Sequence, residues 1–148
     1  MKGPIRLPAP QDIVTMVNRA GGTIRKNCLV GYGTADFTGD RAIDSLNVAG
    51  VGKIAGAIQS AVADDESIGV YRDGDVVLES DGSGTISVGQ RVIAVAGGSL
   101  AASGRVAALP GSPTGGTNYE IVGEALTAAA ATAGAEVVVR LNFFTYQG

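Results

Sequence analysis

Apolar and polar residues alternate in short runs along most of the chain, and this pattern predicts short strands rather than helices. From residue 51 onward the runs are VGKIAGAI, SIGVY, DVVLE, RVIAV and RVAAL, separated by segments rich in Gly, Asp, Ser and Pro. The stretch SIGVYRDGDVVLE predicts a β-hairpin that turns at Asp73-Gly74, because Asp-Gly pairs favour the positive φ angles of tight turns. Earlier in the chain, TIRKNCLVGY is also strand-like.

The alanine-rich part of YEIVGEALTAAAATAGAEVVVRL (119–141) separates two runs that alternate as strands do. YEIVGEAL contains Gly123, which would weaken a helix interior, and EVVVRLNFF is first β-branched and then aromatic. The residues from Thr127 to Ala133 could form only a couple of helical turns, which are marginal on their own in water. We therefore predict two strands joined by an elbow of small residues.

The first ten residues contain three of the chain's five prolines. Proline removes a hydrogen-bond donor and fixes φ, so this segment is neither a helix nor a central strand. We interpret residues 1–22 as an extended N-terminal arm in which Ile5 and Leu7 provide apolar contacts. Within it, residues 11–22 suit either a strand or a short helix capped by Asp12, and the helix is preferred.

The remaining chain divides into a connecting segment and a body. Residues 23–50 are predicted to form a strand followed by a long loop over 34–50, which is polar and shows no period. Residues 51–148 are predicted to form the β-domain. The fold class predicted for the whole chain is all-β, a small β-barrel or β-sandwich-like domain with an extended N-terminal arm and at most short helices.

Composition agrees with many tight turns between short strands. Glycine accounts for 23 of 148 residues, roughly twice its usual share of about 7%, and the glycines are scattered without a collagen-like period. Hydrophobic residues make up 45% of the chain and aromatic residues only 5%. The core must therefore be built mainly from small aliphatic side chains.

The chain lacks the side chains that much enzyme chemistry requires. It contains no histidine and a single cysteine, Cys28, so nucleophile–histidine systems, histidine zinc sites and internal disulfides are excluded. Cys28 is predicted to be a buried, inert thiol. The acidic triplet Asp64-Asp65-Glu66 lacks the alternating oxygen spacing of a calcium loop and is interpreted as a solvated turn. We predict no catalytic residue, no cofactor and no metal site, and hence a protein that is not an enzyme.

Charge is distributed unevenly along the chain. Residues 1–41 carry six cations and three anions, whereas residues 42–148 carry five cations and eleven anions. A basic leader on an acidic body indicates that the two parts meet different partners, although chance explains so few charges nearly as well. Neither a basic patch with interleaved aromatics, nor an apolar run long enough to span a membrane, nor a signal-peptide pattern is found, so no nucleic-acid or membrane partner is predicted.

The order of these runs resembles the capsid decoration, or cement, proteins of tailed bacteriophages. The resemblance covers residues 51–142 and is carried by Ile68-Gly69-Val70, Asp73-Gly74, Gly89, Val92, Val122-Gly123, Ala125-Leu126, Gly134, Val137, Val139 and Leu141. It implies a non-enzymatic protein, made in the host cytoplasm, that binds the outer surface of the assembled capsid of a virion. Its implied partners are the major capsid protein and other copies of itself, often as a homotrimer, and its implied effect is capsid stabilisation.

Two groups of residues are candidates for these contacts. The arm residues Pro4, Ile5, Arg6, Leu7 and Pro8 are predicted to bind the capsid by adding a strand to a sheet edge. Phe143, Phe144 and Tyr146, in the C-terminal run NFFTYQG, are predicted to pack at a subunit interface, although closure of the domain's own core explains them equally well.

Two other functions stay open. A virion or surface β-module could bind glycan or a host surface through loop aromatics, for which Phe37, Tyr71 and Tyr119 are the candidates. A small carboxylate-dependent enzyme would need two carboxylates that converge in one pocket.

Overall fold

The computed structural model describes residues 12–33, 41–46, 54–95, 97 and 99–148, and within these ranges the protein is all-β, as predicted. The described residues contain no helix and form ten strands. They are β1 (Ile13–Asn18), β2 (Cys28–Tyr32), β3 (Ala42–Ser45), β4 (Ile54–Ile58), β5 (Ser67–Tyr71), β6 (Gly74–Glu79), β7 (Arg91–Val95), β8 (Arg105–Ala108), β9 (Asn118–Ala125) and β10 (Glu136–Gln147).

The first five strands close into a small barrel in the order β1-β3-β2-β4-β5. β1 runs parallel to β3 and antiparallel to β5, and the remaining neighbours are antiparallel. The barrel is filled by small and β-branched side chains, as the low aromatic content predicts. Its buried cluster comprises Met16, Ile24, Cys28, Val30, Ile43, Ala55, Ile58, Val62 and Val70.

The last five strands form an antiparallel sheet in the order β6-β10-β9-β7-β8. The sheet is curled, because a bridge joins Ser80, just past β6, to Val106 in the opposite edge strand β8. The inward side chains of all five strands form a second core, to which Leu29 and Ala57 of the barrel also contribute.

Strands β2 and β4 separate the two cores. Leu29 and Ala57 pack in the second core, whereas their neighbours Val30 and Ile58 pack inside the barrel. Every residue of β4 is buried for this reason, and its sequence is a continuous apolar run rather than an alternating one. The Gln59 side chain, which follows β4, hydrogen-bonds both the N–H and the carbonyl of Val77 at 2.8 Å along the edge of β6.

The helix preferred over residues 11–22 is wrong. Ile13–Asn18 forms β1, in which Val14 lies opposite Val70 of β5 and Met16 is buried in the barrel. β-Branched residues and an available partner strand outweigh a helical pattern of only three turns. Residues 13–18 therefore belong to the barrel and not to an extended arm. Residues 1–11 of the predicted arm, including Pro4 to Pro8, lie outside the described residues.

The long loop predicted over residues 34–50 is also wrong in part. Ala42–Ser45 forms β3, which inserts between β1 and β2 in the barrel. Four residues, of which Asp44 and Ser45 are polar, give too short an alternation to identify a strand from sequence alone. Residues 34–40 and 47–50 lie outside the described residues.

The hairpin predicted at Asp73-Gly74 has the correct strands but the wrong pairing. Gly74 adopts a φ of 79°, as a turn glycine does. However, β5 pairs with β1 and β4 in the barrel, whereas β6 pairs with β10 in the sheet. The turn therefore marks the passage of the chain from the barrel to the sheet.

The elbow predicted between the last two strands is confirmed. β9 and β10 are antiparallel neighbours, and the alanine-rich segment between them contains no helix. Ala129 within it forms an isolated bridge with Ile86, and Gly134 has a φ of 88°. Ala129 is the residue of this segment that packs in the second core, whereas residues 130–133 are exposed.

Candidate interaction surfaces

The three C-terminal aromatic residues predicted at a subunit interface lie on two different faces of β10. Phe143 points inward and packs against the second core. Phe144 points outward and lies opposite Ile121 of β9, and Tyr146 lies opposite Tyr119. The prediction therefore groups residues that the strand separates, and only Phe144 and Tyr146 are in position to meet another molecule.

The outward face of this sheet carries a row of alternating charges. Across the neighbouring strands β6, β10, β9 and β7, the residues directly opposite one another are Asp75, Arg140, Glu124 and Arg91. Arg140 Nε donates to Asp75 Oδ1 at 3.2 Å, and both side chains are at least half exposed. Opposite charges placed directly across neighbouring strands attract, so this row stabilises the register of the sheet.

Two apolar rows follow the charged row along the strands. Ile93, Ile121 and Phe144 lie side by side on β7, β9 and β10, and the Tyr119–Tyr146 pair comes next. The Arg91 guanidinium lies 5.4 Å from the centre of the Phe144 ring, within cation–π distance. We call the charged row and these two apolar rows together the outer sheet face.

A cavity of about 300 Å³ opens on the outer sheet face above Ile121. It is lined by Gly89, Arg91, Ile121, Gly123, Glu124, Arg140, Asn142 and Phe144. Glu124 is the single carboxylate in this lining, so the cavity does not bring together the pair of carboxylates that acid–base catalysis of glycoside hydrolysis uses.

Two ionisable groups near this face have shifted pKa values. The Thr114 N–H donates to the Tyr119 hydroxyl oxygen at 3.0 Å, and this hydrogen bond lowers the pKa of Tyr119. Partial burial raises the pKa of Glu120, against the opposing effect of the Thr145 hydroxyl, which donates to that carboxylate at 3.4 Å.

A second surface lies at the end of the barrel where the chain enters β1. A cavity of about 310 Å³ there is lined by Val14, Met16, Tyr32, Gly33, Arg41, Ala42 and Arg72. Arg72 Nη1 donates to the Tyr32 hydroxyl at 2.5 Å, which holds an aromatic ring and a cation side by side. We call this region the arginine end of the barrel.

The arginine end carries an exposed aromatic side chain. Three large apolar side chains are exposed among the described residues, and one of them, Tyr32 at 47%, lines this cavity. A second, Ile13 at 49%, lies on the opposite face of β1, where its Cγ2 atom is close to Gly69. The third, Val88 at 66%, lies just before β7 in the sheet. Acidic groups are close as well, because the Asp12 N–H donates to Asp73 Oδ1 at 2.6 Å. The surface thus combines an exposed aromatic side chain with charges of both signs.

Cys28 is buried at 1% exposure, as predicted. Desolvation raises the pKa of its thiol from 9.0 to about 11, although Arg25 acts in the opposite direction. Because a thiolate is the reactive form, we expect native protein at pH 8 to react with a thiol reagent at least about 100-fold more slowly than protein in denaturant. A thiol assay with and without urea measures this ratio, and equal rates would contradict the burial of Cys28.

The raised pKa of Cys28 also makes stability depend on pH. The folded state binds the thiol proton more tightly than the unfolded state does, so the stabilisation is complete below pH 9 and is lost as pH rises from 9.0 toward about 11.

The acidic triplet forms a turn that is bound to the rest of the barrel. Asp64 Oδ1 accepts a hydrogen bond from the Gly21 N–H at 3.0 Å, and Asp65 Oδ1 pairs with Arg19 at 2.6 Å. Nowhere in the described part of the chain do three or more acidic or cysteine side chains gather in an arrangement that could hold a metal ion.

The loop aromatics named for a glycan site are not gathered in loops. Tyr71 ends β5 and packs against the second core, and Tyr119 lies within β9 on the outer sheet face. Phe37 lies outside the described residues.

No protein-family model matches the chain, and no curated protein matches it significantly. None of the described residues forms a helix that is long and apolar enough to cross a lipid bilayer.

Proposed function

We propose that this protein is a capsid decoration protein of a tailed bacteriophage, which binds the outer surface of the assembled head through its arginine end and stabilises the shell without catalysing a reaction. Its partners are then the major capsid protein and other copies of itself, and its location is the virion. The order of strand-forming runs over residues 51–142 supports the proposal through the resemblance described above.

The glycines that carry this resemblance have identifiable roles in the backbone. Gly74, Gly89 and Gly134 have φ angles of 79°, 83° and 88°, which side-chain-bearing residues rarely adopt. At Gly123 a Cβ atom would overlap the carbonyl oxygen of Arg140 on the neighbouring strand. The pattern therefore supports a shared fold, whereas the proposed binding role needs a surface of its own.

The arginine end of the barrel is the observation that carries the binding role. It combines a cavity with Arg41, Arg72 and Tyr32, one of the three large apolar side chains that are exposed in the described part of the chain. Tyrosine and arginine are enriched among the residues that dominate the energy of protein–protein interfaces. Asp12 connects this surface covalently to residues 1–11, the basic and proline-rich segment.

This arrangement fits a protein that reinforces a shell. The segment around Pro4 to Pro8 is proposed to continue the contact along the capsid, in the manner of a strand added to a sheet edge. Many copies bound to a symmetric shell would make a modest affinity per copy sufficient, because linked contacts act at high effective concentration. The homotrimer implied by the resemblance stays a prediction.

The proposal predicts that Tyr32→Ser weakens binding to capsids roughly tenfold or more, because it removes an exposed aromatic side chain and its contact with Arg72. Binding is measured by co-sedimentation of the purified variant with heads of its virus that lack the protein. Deletion of residues 2–11 is expected to weaken binding in the same assay without removing β1.

Val88→Ser is the matched control, since it removes a large apolar side chain that is more exposed than Tyr32 but lies elsewhere. We expect this variant to bind as the unmodified protein does. Equal binding by the Tyr32 and Val88 variants would contradict the role of the arginine end.

A further inference from the structure

The order of charges on the outer sheet face is self-complementary. From β6 to β7 the row is Asp75, Arg140, Glu124 and Arg91, so its signs alternate from negative to positive. When the row is reversed, every charge takes the position of an opposite one. A two-fold axis that runs along the strands midway between β9 and β10 produces this reversal.

We propose that the outer sheet face binds the same face of a second copy of this chain about such a two-fold axis. The axis places β9 of one copy over β10 of the other, so that each Arg140 faces the Glu124 of the second copy. Asp75 of each copy then faces Arg91 of the other copy. The inference stands on this surface alone and does not require capsid binding.

The apolar rows are consistent with the same axis. Rotation about an axis parallel to the strands leaves each row at its own height, so each apolar row meets its counterpart. Phe144 of one copy then lies over the cavity of about 300 Å³ on the other, beneath which Ile121 is fully buried. Tyr119 likewise lies over Tyr146, and aromatic pairs of this kind add stability beyond the area they bury.

The packing is of a type that sheets commonly adopt. An axis along the strands brings the two sheets together with their strands nearly aligned, as in β-sandwiches. A three-fold axis would bring unlike parts of the surface together and would not pair Arg140 with Glu124 reciprocally. The trimer implied by the resemblance would therefore need another surface.

The size of the face predicts a weak dimer. β9 has eight residues, whereas β6 has six and β7 five. The face therefore covers at most a patch about 27 Å by about 19 Å, the area of four strands of eight residues at the usual rise and spacing. Such a patch lies at the small end for stable protein–protein interfaces. We therefore expect a monomer–dimer equilibrium that depends on protein concentration. The dimer is favoured where many copies lie close together.

Charge-reversal variants test the proposal directly. In Arg140→Glu, each new glutamate would face Glu124 of the second copy, and in Glu124→Arg each new arginine would face Arg140. We expect each variant alone to stay monomeric at concentrations at which the unmodified chain dimerises, as measured by sedimentation equilibrium. A 1:1 mixture of the two variants is expected to dimerise, because every new charge then faces an opposite one.

Controls separate this proposal from misfolding and from the proposed function. Both substituted side chains are exposed, and Glu66→Arg, an exposed charge reversal in the barrel, is expected to dimerise normally. Tyr32→Ser is also expected to dimerise, and Arg140→Glu to keep its affinity for capsids as a single copy. A full-length chain that is monomeric at all concentrations, a trimer that these substitutions dissociate, or a mixture that stays monomeric would overturn the two-fold pairing.

Discussion

Replacement of Gly104 by alanine is expected to lower the free energy of unfolding by at least about 3 kcal/mol. Gly104 has a φ of 74°, and its carbonyl accepts the Leu29 N–H at 2.8 Å, where the loop before β8 meets β2 of the barrel. A Cβ atom there would overlap the Leu29 carbonyl oxygen and lie 2.9 Å from Cβ of Cys28. The substitution therefore adds backbone strain and pushes the barrel away from the sheet.

Gly116→Ala separates these two effects. Gly116 has a nearly identical φ of 78°, but a Cβ atom there would have no neighbour within 4 Å. We expect this variant to lose only the strain contribution, about 1 kcal/mol. Urea unfolding of both variants measures the difference, and equal losses would show that the barrel and sheet do not meet closely at Gly104.

Replacement of Arg25 by methionine is expected to destabilise the protein by about 3 kcal/mol. Arg25 Nε donates to Glu79 Oε1 at 3.0 Å, and the two side chains are 23% and 15% exposed. Its other nitrogens donate to the carbonyls of Leu100, Ala101 and Ser103 at 2.7 to 3.1 Å. Methionine keeps much of the apolar stem but leaves Glu79 and three carbonyls without these donors.

Arg105 replaces the interactions of Arg25 with Glu79 only in part. Its Nε lies 3.8 Å from Glu79 Oε1, beyond hydrogen-bond distance, and it is buried without a hydrogen-bond partner. Asp65→Asn is the control, because Asp65 is 72% exposed and solvent can therefore hydrate its carboxylate in the ion pair with Arg19. We expect a loss below about 1 kcal/mol for this control. If Arg25→Met lowered the free energy of unfolding by as little as this control does, the result would contradict a structural role for the cluster around Glu79.

Strand positions could be predicted from the sequence wherever the alternation was long or the apolar run was bounded by turn residues. β6, β7 and β10 are of this kind. β1 was missed because its apolar residues are compatible with both a helix and a strand, and only the partner strand β5 decides between them. β3 was missed because its four residues are too few to show an alternation of apolar and polar positions.

Pairing could not be predicted from local signals. Gly74 does adopt the positive φ that the Asp-Gly pair predicts. The strands on either side nevertheless pair with β1 and β10, which are distant in sequence, because burial of two separate cores outweighs the formation of a local hairpin. Turn chemistry specifies a change of direction, and it does not specify which strand lies alongside.

The outer sheet face and the arginine end could be predicted only in part from the sequence. Register shifts next to Val122 and Phe143 in β9 and β10 determine which aromatic residues face outward. The charged row joins residues as far apart as Asp75 and Arg140, and it appears only once the register of four strands is known. The arginine end likewise joins Tyr32 to Arg72 across 40 residues.

Co-sedimentation of the full-length protein with heads that lack it, followed by heating of the complexes, is the most direct test of capsid decoration. We expect binding that saturates at a ratio set by the symmetry of the shell, together with a higher melting temperature of the capsid. Absence of binding, or saturable binding without any change in melting temperature, would contradict a stabilising role on the shell.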